Sequence, residues 1–242
     1  VTSRGLSIII PAYNEEAFIA TLLERIRAVD LSAFDLDKEI IVVDDGSRDR
    51  TAALAESVPG VSVHRKENGG KGSAVRAGIA RATREFLIIQ DADLEYDPDD
   101  YRPMLEALLA GKGEAVYGTR YVKRTDRGIL WNFAHGRHPR QSWSAYLGGR
   151  SLSMIALVFT GRYLSDTVTA LKLFRRERLA DLDLQTSGFE LDHEISSKLL
   201  ARNARIVEVP IRYYPRSREE GKKIGLRDWF VAIRTFWRYR NG

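Results

Sequence analysis

The sequence predicts an α/β domain built on a mostly parallel sheet. Three observations carry that prediction. Short β-branched runs alternate with helical apolar patterns through the first half of the chain, which is the signature of βαβ units. A polar cluster follows each of the first four runs. Across the 242 residues, 44% hydrophobic and 29% charged content supplies one sizeable core rather than a disordered chain.

Ser7 to Ile10 reads as the first strand. The helix after it carries Phe18, Ile19, Leu22, Leu23 and Ile26 on one face. Ile40 to Val43 is the second strand, with Ser47 or Asp49 as cap of a helix that ends near Pro59-Gly60. Val61 to His64 is the third, followed by a helix from about Gly72 to Ala82. Phe86 to Ile89 is the fourth, and Pro98 stands where a helix begins. Ala115 to Gly118 is a fifth. Residues 120–141 are basic and interrupted by Gly128, Gly136 and Pro139, so no long element is expected there. A mostly apolar helix covers Ser142 to Phe159, a strand Ala170 to Phe174, a helix Glu190 to Arg202 and a strand Ile206 to Val209. From Arg212 the chain reads as a basic loop and then an aromatic-rich helix. The expected division is therefore 1–211 as one domain, split into halves 1–97 and 98–211, with 212–242 as a basic loop and amphipathic helix.

Composition excludes several chemistries. There is no cysteine, so disulfides, thiolate metal sites and cysteine nucleophiles are ruled out. No apolar run reaches the roughly 20 residues needed to cross a bilayer. The net charge of +5 is unevenly spread. Residues 120–150 hold seven Lys/Arg against one acid, and residues 212–240 hold nine against three. Two basic stretches on an otherwise acidic chain point to an anionic partner: nucleic acid, a phosphorylated ligand or membrane headgroups.

The polar clusters are PAYNEE (Pro11–Glu16), DDGSRD (Asp44–Asp49), ENGGKGS (Glu67–Ser73) and QDADLEYD (Gln90–Asp97). In an open parallel sheet these four places share the carboxyl edge, where ligands bind. Asp91 and Asp93 leave an apolar strand one residue apart, a spacing that lets both reach one divalent cation, with Glu95 available to complete the shell. A cation bridging a diphosphate neutralises leaving-group charge. The plainer reading is helix capping. Asp44 and Asp45 are placed to accept from a base or ribose, or to cap the turn that follows them. The glycines around Lys71 let the backbone approach phosphate, with Lys71 as counter-charge. The run matches neither the Walker A pattern nor the Gly-x-Gly-x-x-Gly fingerprint.

The succession PAYNEE, VVDDGSRDRT, NGGKGSAVRAG, QDADLEYDPDD and GTRY resembles the family 2 glycosyltransferases of the GT-A fold. DTVTALKLF, GFELDHEI and REEGKKI extend the similarity over roughly residues 5 to 228, most closely to the dolichyl-phosphate mannose synthase branch and its prokaryotic polyprenyl-phosphate relatives. The resemblance implies a Rossmann-like nucleotide-binding half with a mostly parallel central sheet, a nucleotide-sugar donor and a divalent metal, Mn or Mg. It implies a donor pocket lined by Pro11, Ala12, Tyr13, Glu15, Asp44, Asp45, Lys71, Asp91 and Ala92. It places Asp91, Asp93 and Glu95 at the metal, and Arg120, Arg218, Lys222 and Lys223 at an acceptor phosphate. Asp93, Arg120, Arg218 and Lys223 are the residues it implies for catalysis.

The acceptor divides two readings. A sugar hydroxyl needs a general base, for which Asp192, Glu190 and Asp166 are the candidates. A lipid phosphate is already ionised and needs only cations to position it, which suits the two basic stretches. The expectation is an inverting transfer of a hexose, mannose from GDP-mannose by branch resemblance, onto polyprenyl phosphate. UDP-glucose as donor or a saccharide as acceptor is the alternative. Trp229, Phe230, Ile233, Phe236 and Trp237 recur on one helical face among arginines, a composition that suits the surface of a membrane or, equally, the domain's own core. The expected setting is peripheral, at the cytoplasmic face of a membrane, with a membrane-protein partner as a further expectation. A nucleic-acid-binding module is the reading from another class; it leaves Asp91 and Asp93 without a role, since carboxylates repel phosphates.

Overall fold

A computed structural model describes residues 3–121, 137, 143–215 and 226–241. Within them, β1 (Ser3–Ala12), α1 (Ile19–Ala28), β2 (Asp37–Asp44), α2 (Thr51–Glu56), β3 (Val61–Arg65), α3 (Lys71–Ile79), β4 (Arg84–Ile89), α4 (Tyr101–Leu109) and β5 (Ala115–Thr119) form in order. There follow α5 (Trp143–Thr160), β6 (Lys172–Arg175), α6 (Arg176–Ala180), α7 (Leu191–Ala201), β7 (Ile206–Pro210) and α8 (Leu226–Arg238). Pro98 opens a short 3-10 turn, Pro98–Asp100, that leads into α4, and Asp97 caps it by accepting from the Asp99 N–H.

The seven strands make one sheet in the order β3-β2-β1-β4-β6-β5-β7. β1 pairs in parallel with β2 and β4, β2 with β3, and β5 with β7. β6 runs against both its neighbours, β4 and β5. The sheet is therefore mostly parallel, with one reversed strand inserted near its middle.

Helices cover both faces, which is why β1, β2 and β4 read as unbroken apolar runs instead of alternating ones. On one face Ile8, Ile10, Ile40, Val42, Phe86 and Ile88 pack with Leu22, Leu23 and Ile26 of α1 and Met104, Leu105 and Leu108 of α4. On the other face Ile9, Ile41, Val43, Leu87 and Ile89 meet Ala74 and Val75 of α3 and Leu191, Ile195 and Leu199 of α7. Successive side chains of each strand thus enter opposite cores, the period-two geometry of a strand.

The strand directions fix where chemistry can gather. The carboxyl ends of β1 to β5 open on one edge, and the reversed β6 delivers its first residue, Lys172, to that same edge. Lys172 lies in register with Ile89, the last residue of β4. The sequence places a strand at ALKLF but carries no sign of its reversal.

Candidate active site

The loops after β1 and β2 are tied together by their own polar side chains. The Asn14 N–H donates to Ser47 Oγ at 2.9 Å, and Asn14 Oδ1 accepts from the Arg48 N–H at 2.9 Å. The Glu15 N–H donates to Thr51 Oγ1 at 2.8 Å. Asn14 sits at φ 54°, a left-handed position that asparagine tolerates. These bonds hold Pro11, Ala12, Tyr13 and Glu15 beside Asp44 and Asp45.

The two aspartates after β2 differ. Asp45 is occupied: its carboxylate accepts from the Gly69 N–H at 3.0 Å, the Gly70 N–H at 2.7 Å and Lys66 Nζ at 2.6 Å. It organises the glycine-rich turn before α3. Asp44 accepts from the Ser47 N–H through Oδ2 at 3.3 Å, while its buried Oδ1 has no hydrogen-bond partner among the described residues. A buried acceptor without a donor is costly, so Asp44 is the better placed of the two to meet a ligand N–H or O–H.

Glycine geometry brings the next element in. Gly70 has φ +91°, which an L side chain rarely adopts. A Cβ on Gly72 would lie 2.8 Å from the Gly188 carbonyl oxygen and 2.8 Å from the Ser187 carbonyl carbon. Only glycine lets the start of α3 approach the 186–188 segment so closely, and the Ser73 N–H donates to the Ser187 carbonyl at 3.0 Å. Lys71 is carried into the edge by this contact. Its Nζ lies 2.8 Å from Asp91 and 3.4 Å from Asp192.

Asp91 and Asp93 follow β4 as expected. The Asp91 carboxyl is pushed above the usual range by burial and by the charge of Asp93, with Lys71 working in the opposite direction. Asp93 Oδ1 accepts from the Glu95 N–H at 3.1 Å across a turn in which Leu94 takes φ 58°. Glu95 accepts from the Tyr213 hydroxyl at 3.2 Å. Among the described residues no three His, Cys, Asp or Glu groups converge as a metal cage. The donors still suit a hard divalent cation. The charge of Asp93 that raises the proton affinity of Asp91 is relieved by a dication, and the remaining positions fall to diphosphate and water oxygens.

Arg120 leaves β5 and meets Asp166 in a two-pronged pair, Nε to Oδ2 and an outer guanidinium nitrogen to Oδ1, both at 2.7 Å. The ring of Tyr213 lies 5.2 Å from the guanidinium. Asp166 is thus Arg120's partner. Asp192 is engaged on both oxygens, Oδ1 by Lys172 at 2.5 Å and Oδ2 by Lys71. Burial alone raises its pKa, but the two lysines overcome that and hold it at about 2. Glu190 accepts from the Gly188 N–H at 3.1 Å. Arg218, Lys222 and Lys223 lie outside the described residues. Sequence reasoning missed Lys172 and Tyr213. The signal for Lys172 was a lone cation inside an apolar strand; for Tyr213 there was none.

The C-terminal helix divides its aromatic residues between two environments. Phe236 is buried with its ring 5.0 Å from His193, and Trp229 donates to Ser151 Oγ at 2.8 Å, docking α8 on α7 and α5. Phe230 and Trp237 remain 65% and 55% exposed, and α5 exposes Trp143, Leu147, Met154 and Val158. Among the described residues no helix is long and apolar enough to cross a membrane.

Residues 7–180 match the family model described as Glycosyl transferase family 2. The chain belongs to that family. Among curated glycosyltransferases it is 32% identical over 237 residues to a dolichol-phosphate mannosyltransferase of Pyrococcus furiosus, covering 96% of this chain and 63% of that protein. It is 29% identical over 223 residues to an undecaprenyl-phosphate 4-deoxy-4-formamido-L-arabinose transferase of Proteus mirabilis, covering 90% of this chain and 62% of the other. The chain therefore spans less than two thirds of the length of either relative. Its fold matches glucosyl-3-phosphoglycerate synthase of Mycobacterium tuberculosis, solved with UDP, at a TM-score of 0.70 and 21% identity over 98% of this chain and 80% of that one. The same synthase has been solved with Mn2+, UDP and glucosyl-3-phosphoglycerate. The architecture is the GT-A fold that the sequence motifs imply.

Proposed function

We propose that this family 2 chain is an inverting, metal-dependent hexosyltransferase that moves mannose from GDP-mannose onto a polyprenyl or dolichyl phosphate at a membrane surface. The observation that carries the acceptor class is the state of the candidate bases. Asp192 has both carboxylate oxygens engaged, one by Lys172 at 2.5 Å and one by Lys71 at 3.4 Å, and the two lysines hold it below the ordinary carboxylate range, so it is a poor base for a sugar hydroxyl. Asp166 is committed to Arg120, and one oxygen of Glu190 accepts from the Gly188 N–H. An acceptor that arrives already ionised needs none of them. A lipid phosphate is such an acceptor, and the two named relatives are transferases of dolichol phosphate and undecaprenyl phosphate.

In this reading Asp44 receives a donor hydrogen from the nucleoside, and Lys71 offsets charge on the diphosphate. Asp91 and Asp93 hold the divalent cation, whose chemistry is Lewis-acid stabilisation of the departing nucleoside diphosphate. Arg120, kept rigid by Asp166 and Tyr213, orients the acceptor phosphate together with Arg218 and Lys223. Attack by a phosphate oxygen on the face opposite the leaving group inverts the anomeric carbon. Phe230, Trp237 and the apolar residues exposed on α5 rest against the bilayer, with Arg234 and Arg238 on its anionic headgroups.

The test is transfer of radiolabel to polyprenyl phosphate in detergent, from GDP-mannose and UDP-glucose in parallel, with and without Mn. Metal-dependent label in the lipid fraction, lost in Asp93→Ala, supports the reading and names the sugar. Donor turnover without lipid product refutes the acceptor and directs the search to saccharides.

A further inference from the structure

A fully buried lysine is an expensive residue to keep. Lys172 is 0% exposed in a strand that is otherwise apolar apart from its last residue, and an unbranched apolar side chain of similar length fills such a site at lower cost. Its ammonium lies over the Tyr117 ring, 5.2 Å from the centroid, and makes two hydrogen bonds at the edge of the sheet. One is the Thr169 carbonyl; the other is Asp192 Oδ1 at 2.5 Å. The second oxygen of Asp192 faces Lys71 Nζ at 3.4 Å, and Lys71 reaches Asp91 at 2.8 Å. Charges therefore alternate along a line, Lys172, Asp192, Lys71, Asp91, drawn from β6, α7, α3 and the end of β4.

We propose that Lys172 and Asp192 form a buried anchor that positions the Lys71 ammonium for the diphosphate of the donor. This rests on the nucleotide-sugar reading above and adds two residues to it. Lys172 has no exposed surface, so it reaches a ligand only through Asp192. Lys71 needs such a guide. A lysine side chain has four rotatable bonds, and an untethered ammonium beside Asp91 and Asp93 collapses onto whichever carboxylate is nearer. Asp192 gives it a second anionic contact at 3.4 Å, and Lys172 keeps Asp192 from turning to give both oxygens to Lys71. The ammonium is thereby held between two carboxylates, prepared for an anion without first losing side-chain freedom.

The prediction is read by titration calorimetry of GDP and of UDP, each with Mn2+, on the full chain. The variants are Lys71→Met, the neutral double variant Lys172→Met/Asp192→Asn, and the triple. Replacing both members of the buried pair leaves no uncompensated charge. The double variant is expected to bind the nucleotide about tenfold more weakly, equivalent to ~1.4 kcal/mol. Lys71→Met is expected to lose at least as much, and the triple to bind no more weakly than Lys71→Met, because the anchor acts only through Lys71. Unchanged affinity in the double variant overturns the proposal. So does a further tenfold loss in the triple, since that is damage independent of Lys71. If the double variant does not fold, Asp192→Glu, which shifts the carboxylate by one methylene, carries the same comparison with and without Lys71. Should the unmodified chain bind neither nucleotide, the donor site itself is refuted and the anchor falls with it; binding that survives unaltered in the variants removes the anchor alone.

Discussion

Removing the guanidinium of Arg120 tests whether one residue serves both stability and acceptor chemistry. Asp166 is 0% exposed and receives from Arg120 the two side-chain bonds at 2.7 Å and one from its backbone N–H at 3.1 Å. Burial by itself disfavours the charged guanidinium, yet Asp166 raises the Arg120 pKa well above its ordinary value, so the guanidinium stays charged. Arg120→Ala strands a buried carboxylate with one neighbouring charge gone. Breaking a buried pair from one side costs about 3–5 kcal/mol. In a chain of this size, where each kcal/mol moves the melting temperature by about 2–4 °C, that corresponds to a fall of roughly 6–20 °C. Arg120→Met/Asp166→Asn removes both charges and is expected to recover most of that loss, to within about 2 kcal/mol of the parent. Thermal unfolding of the three proteins gives the stabilities, and the lipid-phosphate assay gives the activities. Transfer is expected to stay lost in the double variant, because the cation that meets the acceptor is still missing. A cost below about 1 kcal/mol for Arg120→Ala, or a double variant no more stable than the single, refutes the buried-pair argument. A double variant that regains transfer refutes Arg120 as a phosphate ligand.

Two other outcomes follow from buried and exposed groups near the C-terminal helix. His193 is buried beside Phe236, and burial lowers its pKa to about 4 despite Asp192, with Lys172 and Lys71 adding to the fall. Its folded value lies below the unfolded 6.5, so the unfolded chain takes up the proton first. Stability is full above pH 6.5 and declines until pH reaches about 4, by roughly 3 kcal/mol at ~1.36 kcal/mol per unit. Urea unfolding at intervals from pH 7 to 4 should show that slope in the parent and not in His193→Leu; parallel curves sink the assignment. Phe230→Ser/Trp237→Ser removes two half-exposed to mostly exposed rings, so unfolding stability is expected to change by no more than about 0.5 kcal/mol. Sedimentation with anionic vesicles is expected to fall at least about tenfold, given about 1.5–3 kcal/mol per ring fully buried. Unchanged sedimentation refutes the membrane contact.

The first half of the fold was legible because its signals are local. Each of β1 to β4 is an apolar run followed by a polar turn, and parallel pairing of such units needs no information beyond their order. The candidate site was legible to the same extent: Asp44, Asp91, Asp93 and Lys71 stand where strands end. What could not be read depends on distant pairing. ALKLF looks like any strand, yet its insertion between β4 and β5 in the opposite sense follows from Lys172 meeting both Ile89 and Tyr117 across the sheet. Asp45 and Asp44 are indistinguishable as neighbours in sequence, and only the fold gives the first to the glycine turn and leaves an oxygen of the second without a donor. Tyr213 reaches Glu95 and Arg120 from more than ninety residues away, a contact that no spacing rule reveals.

The reversed strand also joins the two halves of the chain at one edge of the sheet. Had β6 run parallel to its neighbours, its first residue would lie at the far edge and Asp166, just upstream, would lie there too. Because it runs the other way, the chain enters the sheet at the ligand edge. It brings Asp166 to Arg120 and Lys172 to Asp192 before any catalytic step is considered. Each of those pairs joins a residue of the second half to a group that faces the first, Arg120 through Tyr213 to Glu95, and Asp192 through Lys71 to Asp91. Two bridges of this kind tie the second half of the chain to the first across that one edge. A substitution in either bridge is therefore expected to disturb both substrates, and a change that moves only one apparent KM argues against the coupling.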